Sequence, residues 1–498
     1  MTGPLPRALY SAEETRRLDE HAITVQGIPG AELMERAGAR AYRALRSRWP
    51  CVRSLTIYCG AGNNGGDGFV VGRLALADGL AVEVLSVGDL ERLGPDAATM
   101  LSRYRDVGGR HRAFAGARAP QDSARRGLSV DALLGTGLSR PVRGQWRDAI
   151  DALSASGEPV LAIDIPSGLH ADTGAVLGRA VPADVSVTFI GLKRGMLTGE
   201  GPALCGSIVF DALGVPAASY EAVPPSARRL DEARLRALPP RSPTAHKGTF
   251  GHVLVLGGEH GYSGAVRMAG EAAARAGAGL VSVGTRAEHA AALNANRPEL
   301  MSRAVMAAAD LEPLAARATV VAVGPGLGRG AWGESMLAAA LDLPHPLVVD
   351  ADGLNLLAER PRSRGNWVLT PHPAEAARLL GTDTAAVQAD RFASAAAIAE
   401  RYDAVCVLKG AGTVIAGSAK PFGVCSAGNP GLSAGGSGDV LTGVIAAFAA
   451  QGHELGDAAE LGVCAHAHAA DLAARAVGDR GMLAGDVLST LRPAVNPG

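Results

Sequence analysis

Short apolar runs that end in a polar or glycine turn recur along the first half of the chain. RSLTIYCG (53–60), AVEVLS (81–86), LSVDALLG (128–135), PVLAIDIPSG (159–168) and VSVTFIG (185–191) are apolar nearly throughout. That pattern predicts strands buried on both faces. Between them, GFVVGRLALADG (68–79) repeats its apolar positions at helical period and stops on glycine. Strands separated by helix-length segments predict a parallel α/β sheet. From Ala222 to Gly251 the texture changes to prolines, arginines and a short charged stretch, ARRLDEARLR, expected to be a solvated linker helix. The alternation then restarts with GHVLVLGG, GLVSVGT, ATVVAVGPG, HPLVVDADG, NWVLTPH and DAVCVLKG. The expected organisation is therefore a first domain over 1–221, a linker region over 222–250 and a second α/β domain over 251–498, without an internal repeat.

Two glycine-rich stretches interrupt this pattern. GAGNNGGDG (60–68) follows a strand and opens a helix. Ligands of open α/β sheets sit beyond the carboxyl ends of strands, and bare backbone N–H groups at a helix start suit an anion. A tight turn would explain the glycines alone; the built-in Asn63, Asn64 and Asp67 favour binding. Two further strand ends could converge on it. One carries Asp131 inside an apolar run, followed by a Gly-Thr-Gly turn; the other carries Asp164 and then Ser167. Each aspartate could be a cap or turn residue, but a carboxylate within an apolar strand is costly unless paired or bound to a cation. Asn64, Asp131 and Ser167 offer hard oxygens, which suit an alkali or alkaline-earth ion rather than zinc.

The second stretch, GLSAGGSGDVLTG (431–443), runs into an apolar helix expected to start near Ser437. Asp439 falls in its first turn, where the helix dipole favours a carboxylate but a bound phosphate would be repelled. It is either an ordinary N-terminal acid or a base facing a hydroxyl while Gly436 to Gly438 face phosphate.

The motifs LMERAG, GAGNNGGDGFVVGRL, VDALLGTGLSRPVRG and AIDIPSGLHADTG, in this order, resemble the NAD(P)H-hydrate epimerase family over about residues 8 to 215. The resemblance implies that Asn63, Asn64, Gly65, Gly66 and Asp67 cradle the substrate pyrophosphate region. It also implies potassium at Asn64, Asp131 and Ser167, and hydrate binding by Gly135, Thr136, Gly137, Leu138, Ser139, Arg140, Pro141 and Asp164. Asp164 is the expected acid/base. The second half resembles ribokinase-like kinases in its Gly-x-Gly-Asp loop. HKGTFGHVLVLGG, GYSGAVRMAGEAAARAGAGLVSV, VGPGLG, VVDADGLNLL and LTPHPAE narrow this to a likeness with ADP-dependent NAD(P)H-hydrate dehydratases over about residues 230 to 495. This implies hydrate contacts at Ala265, Gly326, His372 and Asp439, with Asp439 catalytic. It implies ADP contacts at Lys409, Gly410, Ala411, Gly412, Thr413 and Gly438, with Glu375 organising magnesium. Ala374 and Ser437 stand where that family usually has glycine and threonine.

The expected fold class is thus α/β, a Rossmann-like three-layer domain followed by a ribokinase-like domain. The expected substrates are hydrated NADH and NADPH (NADHX and NADPHX) with ADP. A vitamin-precursor kinase with a fused accessory domain is the rival reading. A binding module like those of mRNA-decapping scaffolds is another for the first half, opposed by the presence of Asp131, Asp164 and the Asn-Asn loop. A net charge of −1 and few aromatic residues give no sign of a nucleic-acid or anionic-membrane partner. The six cysteines form no C-x-x-C pair and are expected to be buried, reduced thiols. The N-terminal segment has no apolar signal-like core. A cytoplasmic homo-oligomer is expected. His466 and His468, two apart on one helix, are not expected to form a metal pair.

Overall fold

The computed structural model describes residues 4–116, 127–295, 297–417 and 421–497. The chain divides into two compact units, Met1–Arg228 and Arg229–Gly498.

In the first unit a seven-stranded sheet runs in the order His111–Ala113, Ala81–Val87, Ser54–Gly60, Gly127–Ala132, Val160–Ile163, Val185–Phe189 and Ser207–Asp211. Every neighbouring pair is parallel. Each face of the sheet is covered by its own apolar cluster. Leu55, Ile57, Cys59 and Val130 point to one, with helices Gly30–Arg48, Asn63–Ala77 and Pro95–Asp106. Tyr58, Leu85 and Ala162 point to the other, with helix Gln145–Ser154. This two-residue alternation makes three layers from strands that read as uniformly apolar. Strand order reverses on either side of Ser54–Gly60, because the next strand beyond the crossover, Gly127–Ala132, pairs on its opposite edge. A reversal of this kind opens a crevice at the carboxyl ends of the two strands. The first glycine stretch sits there.

The glycines of that stretch do more packing than the sequence suggests. The helix begins at Asn63, with Gly62 as its cap. A Cβ on Gly65 would lie 1.9 Å from the Gly60 carbonyl oxygen, and one on Gly68 would lie 2.7 Å from both the Ala132 methyl and the Cys59 sulfur. Glycine at these positions lets the helix lie directly on the sheet. Only Gly62 faces open space.

The second unit carries strands in the order Phe422–Cys425, Thr413–Ala416, Val405–Leu408, Trp367–Leu369, Leu347–Val349, Val320–Val323, His252–Leu256, Leu280–Thr285 and Met301–Ala304. Those from Met301–Ala304 to Val405–Leu408 are parallel, and the last two add antiparallel. Helices Ser263–Arg275, Ser437–Ala450, Leu455–Val477 and Ala484–Ala494 pack together over one large core. Gly443 lets two of them touch: its Cβ would fall 2.0 Å from the Ala269 carbonyl oxygen.

The expected solvated linker helix is not present. ARRLDEARLR forms a strand, Ala227–Leu230, and one helical turn, Ala233–Arg236. Leu230 and Leu235 are buried in the core of the second unit, and Arg234 pairs with Asp457 and Glu460. Two leucines five residues apart anchor this segment, and Arg234 is turned toward acids of the second unit. Five cysteines are buried as expected, but Cys51 is exposed. Among the described residues no helix is long and apolar enough to cross a membrane.

These packing distances predict opposite outcomes for two neighbouring glycines. Gly65→Ala should destabilise the first unit by about 3 kcal/mol or more, because the obstacle is backbone. Gly62→Ala should change stability by no more than about 0.5 kcal/mol. Denaturant melts of the two variants check both.

Candidate active sites

The crevice of the first unit is a cavity of about 730 Å³. Asn63, Asn64 and Asp67 line it from the helix, Gly135 to Arg140 from the loop after Gly127–Ala132, and Asp164 from the end of Val160–Ile163. Pro141 packs instead near Gly178. Gly65 and Gly66 belong to the packed side of the helix. A Cβ on Gly135 would stand 3.4 Å from Asp164 Oδ2 and 3.6 Å from the Asn64 Cβ, so the loop, the Asn-Asn pair and the aspartate meet.

The cavity also takes in residues that the motifs did not single out, among them Asp19 and Lys193. The Lys193 ammonium is almost fully buried and donates to Asp164 Oδ1, to Thr188 Oγ1 at 2.9 Å and to the Phe189 carbonyl at 3.2 Å. Burial pushes the Asp19 carboxyl up to about 6, with Lys193 opposing and Asp164 adding. Burial, then Asp164 and Asp19, drive Asp67 well above the ordinary carboxylate range.

Asp131 and Ser167 are buried together. Ser167 donates its hydroxyl to Asp131 Oδ1 at 2.6 Å and its backbone N–H to Oδ2 at 2.8 Å. Leu133 N–H adds a third bond, and Leu134 N–H donates to Ser167 Oγ. Burial still raises the Asp131 carboxyl to about 6 against these donors. The Asn64 amide is buried with neither its oxygen nor its nitrogen hydrogen-bonded among the described residues. Asn64, Asp131 and Ser167 offer an all-oxygen donor set, one of them an orphaned amide oxygen, of the chemistry that fits potassium.

In the second unit a chain of contacts joins the expected residues. Gly326 has a left-handed φ of +54°, and a Cβ there would strike Tyr262 and come within 3.1 Å of the Ala265 Cβ. One turn along the same helix, Met268 closes against Gly436, the left-handed cap of helix Ser437–Ala450. Gly438 in turn lies against the Lys409 ammonium and Asp350 Oδ2, where a Cβ would be 3.3 and 3.4 Å away. Lys409 donates to Asp350 Oδ1 at 2.6 Å and stands 3.8 Å from Glu375. Thr442 fixes the other Asp350 oxygen at 2.8 Å.

His372 caps the helix Pro373–Leu380. Its Nδ1 accepts from Ala374 N–H and Glu375 N–H, and Glu375 Oε2 accepts from His372 N–H. An accepting Nδ1 puts the ring proton on Nε2, which faces Glu375 Oε1 at 3.3 Å. The loop Gly410, Ala411, Gly412 and Thr413 rests on Arg391, whose guanidinium donates to the Leu408 and Lys409 carbonyls. Gly410, at φ +137°, leaves room for that guanidinium.

Burial, with Asp350 adding and Lys409 opposing, raises Asp439 to about 7; Asp352 and Glu375 add further. Burial raises Glu375 to about 7 as well, against Lys409. Asp350 goes the other way: burial would raise it, but Lys409 holds it below the ordinary range. The donor set is hard oxygen and short of positive charge, which fits magnesium. Among the described residues no group of three or more His, Cys, Asp or Glu could hold a metal alone. A magnesium ion here would complete its shell with nucleotide phosphates and water.

The decisive comparison spans the whole chain. It is 47% identical over 491 residues to a bifunctional NAD(P)H-hydrate repair enzyme of Coxiella burnetii, covering 98% of this chain and 99% of that one. The chain belongs to the bifunctional NAD(P)H-hydrate repair enzymes. A relative of the same description from Escherichia coli is 44% identical, with 99% and 95% covered. The NAD(P)H-hydrate dehydratase family matches residues 253–493, and the family of YjeF-related protein N-termini matches residues 30–195. Among solved structures, a ribokinase-like superfamily protein of Enterococcus faecalis matches at a TM-score of 0.50 and 28% identity, covering 54% of this chain and 96% of that one. These matches bear out the α/β fold class and favour the repair-enzyme reading over the kinase.

In this repair enzyme the residues missed by sequence reasoning are Asp19, Lys193, Asp350 and Arg391. Asp350 ends the apolar run LVVD, the same signal that drew attention to Asp131 and Asp164. Lys193 lies just past VSVTFIG, with no pattern to mark it. His466, not expected to pair with His468 on a metal, is buried against the Ser437 hydroxyl at 3.2 Å, and burial lowers it to about 4. It enters as a neutral support of the second glycine loop.

The raised Asp439 carboxyl has a signed consequence for stability. The folded protein holds this proton more tightly than the unfolded chain, so stability falls as pH rises from about 4 to about 7 and is level outside that window. Asp439→Asn should remove about 2–4 kcal/mol of that fall. Urea melts across pH 4 to 8, wild type against variant, test the sign.

Proposed function

We propose that the first unit interconverts the R and S epimers of NADHX and NADPHX at C6. The second unit would dehydrate the S form at the expense of ADP, giving NAD(P)H, AMP and phosphate. One observation carries the reading: each unit sets a carboxylate, Asp164 or Asp439, beside a helix N-terminus opened by glycine. That pairing suits a substrate with a phosphate at one end and a hydroxyl to deprotonate at the other.

In the second unit Asp439 takes the proton of the C6 hydroxyl. The oxygen attacks the β-phosphorus of ADP and the bond to the bridging oxygen breaks, releasing AMP. The C6–O bond of the phosphate ester then breaks with help from the N1 lone pair. Loss of a proton from C5 completes the C5–C6 double bond, leaving NAD(P)H and inorganic phosphate. A carboxyl near 7 is matched to this proton transfer at neutral pH. Gly436 to Gly438 offer backbone N–H groups to the transferring phosphoryl group, and the loop 409–413 holds the nucleotide. Lys409 holds Asp350 ionised beneath Gly438, and Ala265, Gly326 and His372 shape the hydrate pocket. Glu375 would hold magnesium together with the nucleotide phosphates; when bound, the ion supplies positive charge to them.

In the first unit Asn63 and Asn64 receive the pyrophosphate end, and Gly135 to Arg140 flank the hydrated ring. Asn64, Asp131 and Ser167 would hold potassium, which supplies the positive charge that this buried carboxylate lacks. Five buried free thiols support a reducing, cytoplasmic setting.

The test separates the units. Full-length enzyme is given mixed R and S hydrate with ADP or ATP, following NAD(P)H recovery and R-to-S conversion. A stable phosphoester product would instead support the kinase. Asp439→Asn should lower kcat of dehydration by about 10²–10⁴-fold with epimerisation intact. Asp131→Ala should slow epimerisation and leave dehydration of the S form at its wild-type rate. Equal loss of both activities in either folded variant would end the division of labour.

A further inference from the structure

The cavity of the first unit holds more carboxylates than one acid/base needs. Asp19 reaches it from helix Ala12–Thr24, Asp67 from helix Asn63–Ala77 and Asp164 from the end of strand Val160–Ile163. Lys193 is the buried cation among them, and its three hydrogen bonds are spent on Asp164 Oδ1, Thr188 Oγ1 and the Phe189 carbonyl. Asp67 forms no ion pair among the described residues and is buried. The charged groups further round the cavity are Arg16, Asp96 and Arg140.

Asp164 is also held by its backbone. It is a non-glycine residue at φ +68°, with its N–H bonded to the Val187 carbonyl at 2.7 Å. Holding such a conformation costs about 1–2 kcal/mol. With Oδ1 taken by Lys193, Oδ2 is the oxygen turned toward the Gly135 loop. The ammonium fixes one oxygen of Asp164, whereas the buried Asp67 carboxyl, with no cation bonded to it, is pushed toward its neutral form.

We propose that Lys193 is a positioning residue that assigns the roles of the cavity carboxylates: it occupies Asp164 Oδ1, leaving Oδ2 as the base, and leaves the unpaired Asp67 as the acid. This rests on the reading of the first unit as the epimerase. Carbon C6 of the hydrate bears both a hydroxyl and the ring nitrogen. Asp164 Oδ2 takes the hydroxyl proton as the C6–N1 bond breaks to give an aldehyde, and N1 receives the Asp67 proton. Rotation about the bond from C5 to C6 presents the other face of the aldehyde. Re-closure returns the N1 proton to Asp67 and the Asp164 proton to oxygen, so atoms and charge balance and only the configuration changes. Asp67 thereby takes a chemical role at the ring in place of the pyrophosphate contact that the resemblance implied for it.

The experiment measures R-to-S conversion by full-length enzyme. Lys193→Met should lower kcat by about 10²–10⁴-fold while KM stays within about threefold, and Lys193→Arg should recover part of the loss. Asp67→Asn, which keeps shape and a donor but has no transferable acid proton, should lose kcat by about 10²-fold. A rise in KM with kcat unchanged, for either residue, would make it a binding group and overturn the proposal. Should Lys193→Met not fold, the near-isosteric Thr188→Val decides. Losing one anchor of the ammonium should cost about fivefold in kcat, and an unaltered kcat there counts against it. Wild-type enzyme that dehydrates S hydrate but never converts R to S would instead sink the epimerase reading itself.

Discussion

In both units a lysine ammonium is set against three carboxylates, and charge balance then decides which of them ionise. Lys193 meets Asp19, Asp67 and Asp164; Lys409 meets Asp350, Glu375 and Asp439. In each set one carboxylate is bonded directly to the ammonium. The others are left with burial and like-charge neighbours, which push them toward the neutral form. The outcome differs between the units. In the second, the paired Asp350 is locked under the glycine loop and the spare carboxyl, Asp439, is the one poised near 7. In the first, the paired Asp164 itself lines the cavity.

The glycine-rich stretches show how one residue type can serve two demands. At the first, Gly65 and Gly68 are required because the helix must approach the sheet to within backbone contact. That closeness brings the helix N-terminus, Asn64 and Asp67 level with the ends of the neighbouring strands. At the second, Gly436 takes a left-handed φ of +89° to start the helix, and Gly438 admits the Lys409 ammonium. Packing and binding are linked here: a side chain on Gly65, Gly68 or Gly436 would push the helix that carries the site off its support, and one on Gly438 would crowd the Lys409 ammonium.

The sequence made the site legible wherever a polar residue broke an apolar run. Asp131 and Asp164 stood out against apolar neighbours, and the structure buries the first with Ser167 and pairs the second with Lys193. Most central strands were readable for the same reason. The edge strands were not: His111–Ala113, Ser207–Asp211 and Met301–Ala304 are short and partly exposed, so their composition resembles that of loops. Thr413–Ala416 was hidden because its segment reads as a ligand loop. Lys193 could not be found from pattern at all. A lysine past a strand end is ordinarily solvated, and only the fold shows this one turned inward to meet Asp164. The segment 227–236 was misread because its arginines dominate the composition while two leucines do the anchoring.

Backbone strain falls where these carboxylates are held. Among the described residues five non-glycine residues have left-handed φ; Asp164, Ile190 and Leu213 all line the cavity of the first unit, and Ala351 directly follows Asp350. Such residues persist only where surrounding packing over-determines them. Here that packing is the parallel sheet: Asp164 N–H bonds to Val187, Ile190 N–H to Asp211 and Asp350 N–H to Val323, each reaching a neighbouring strand. The sheet thus bends the chain ends sharply at its carboxyl edge and holds them there. A carboxylate on a relaxed loop could swing away from its lysine and find water. Held on a strained strand end, it must be balanced within the cavity, which is why a single buried ammonium can settle the ionisation of a whole site.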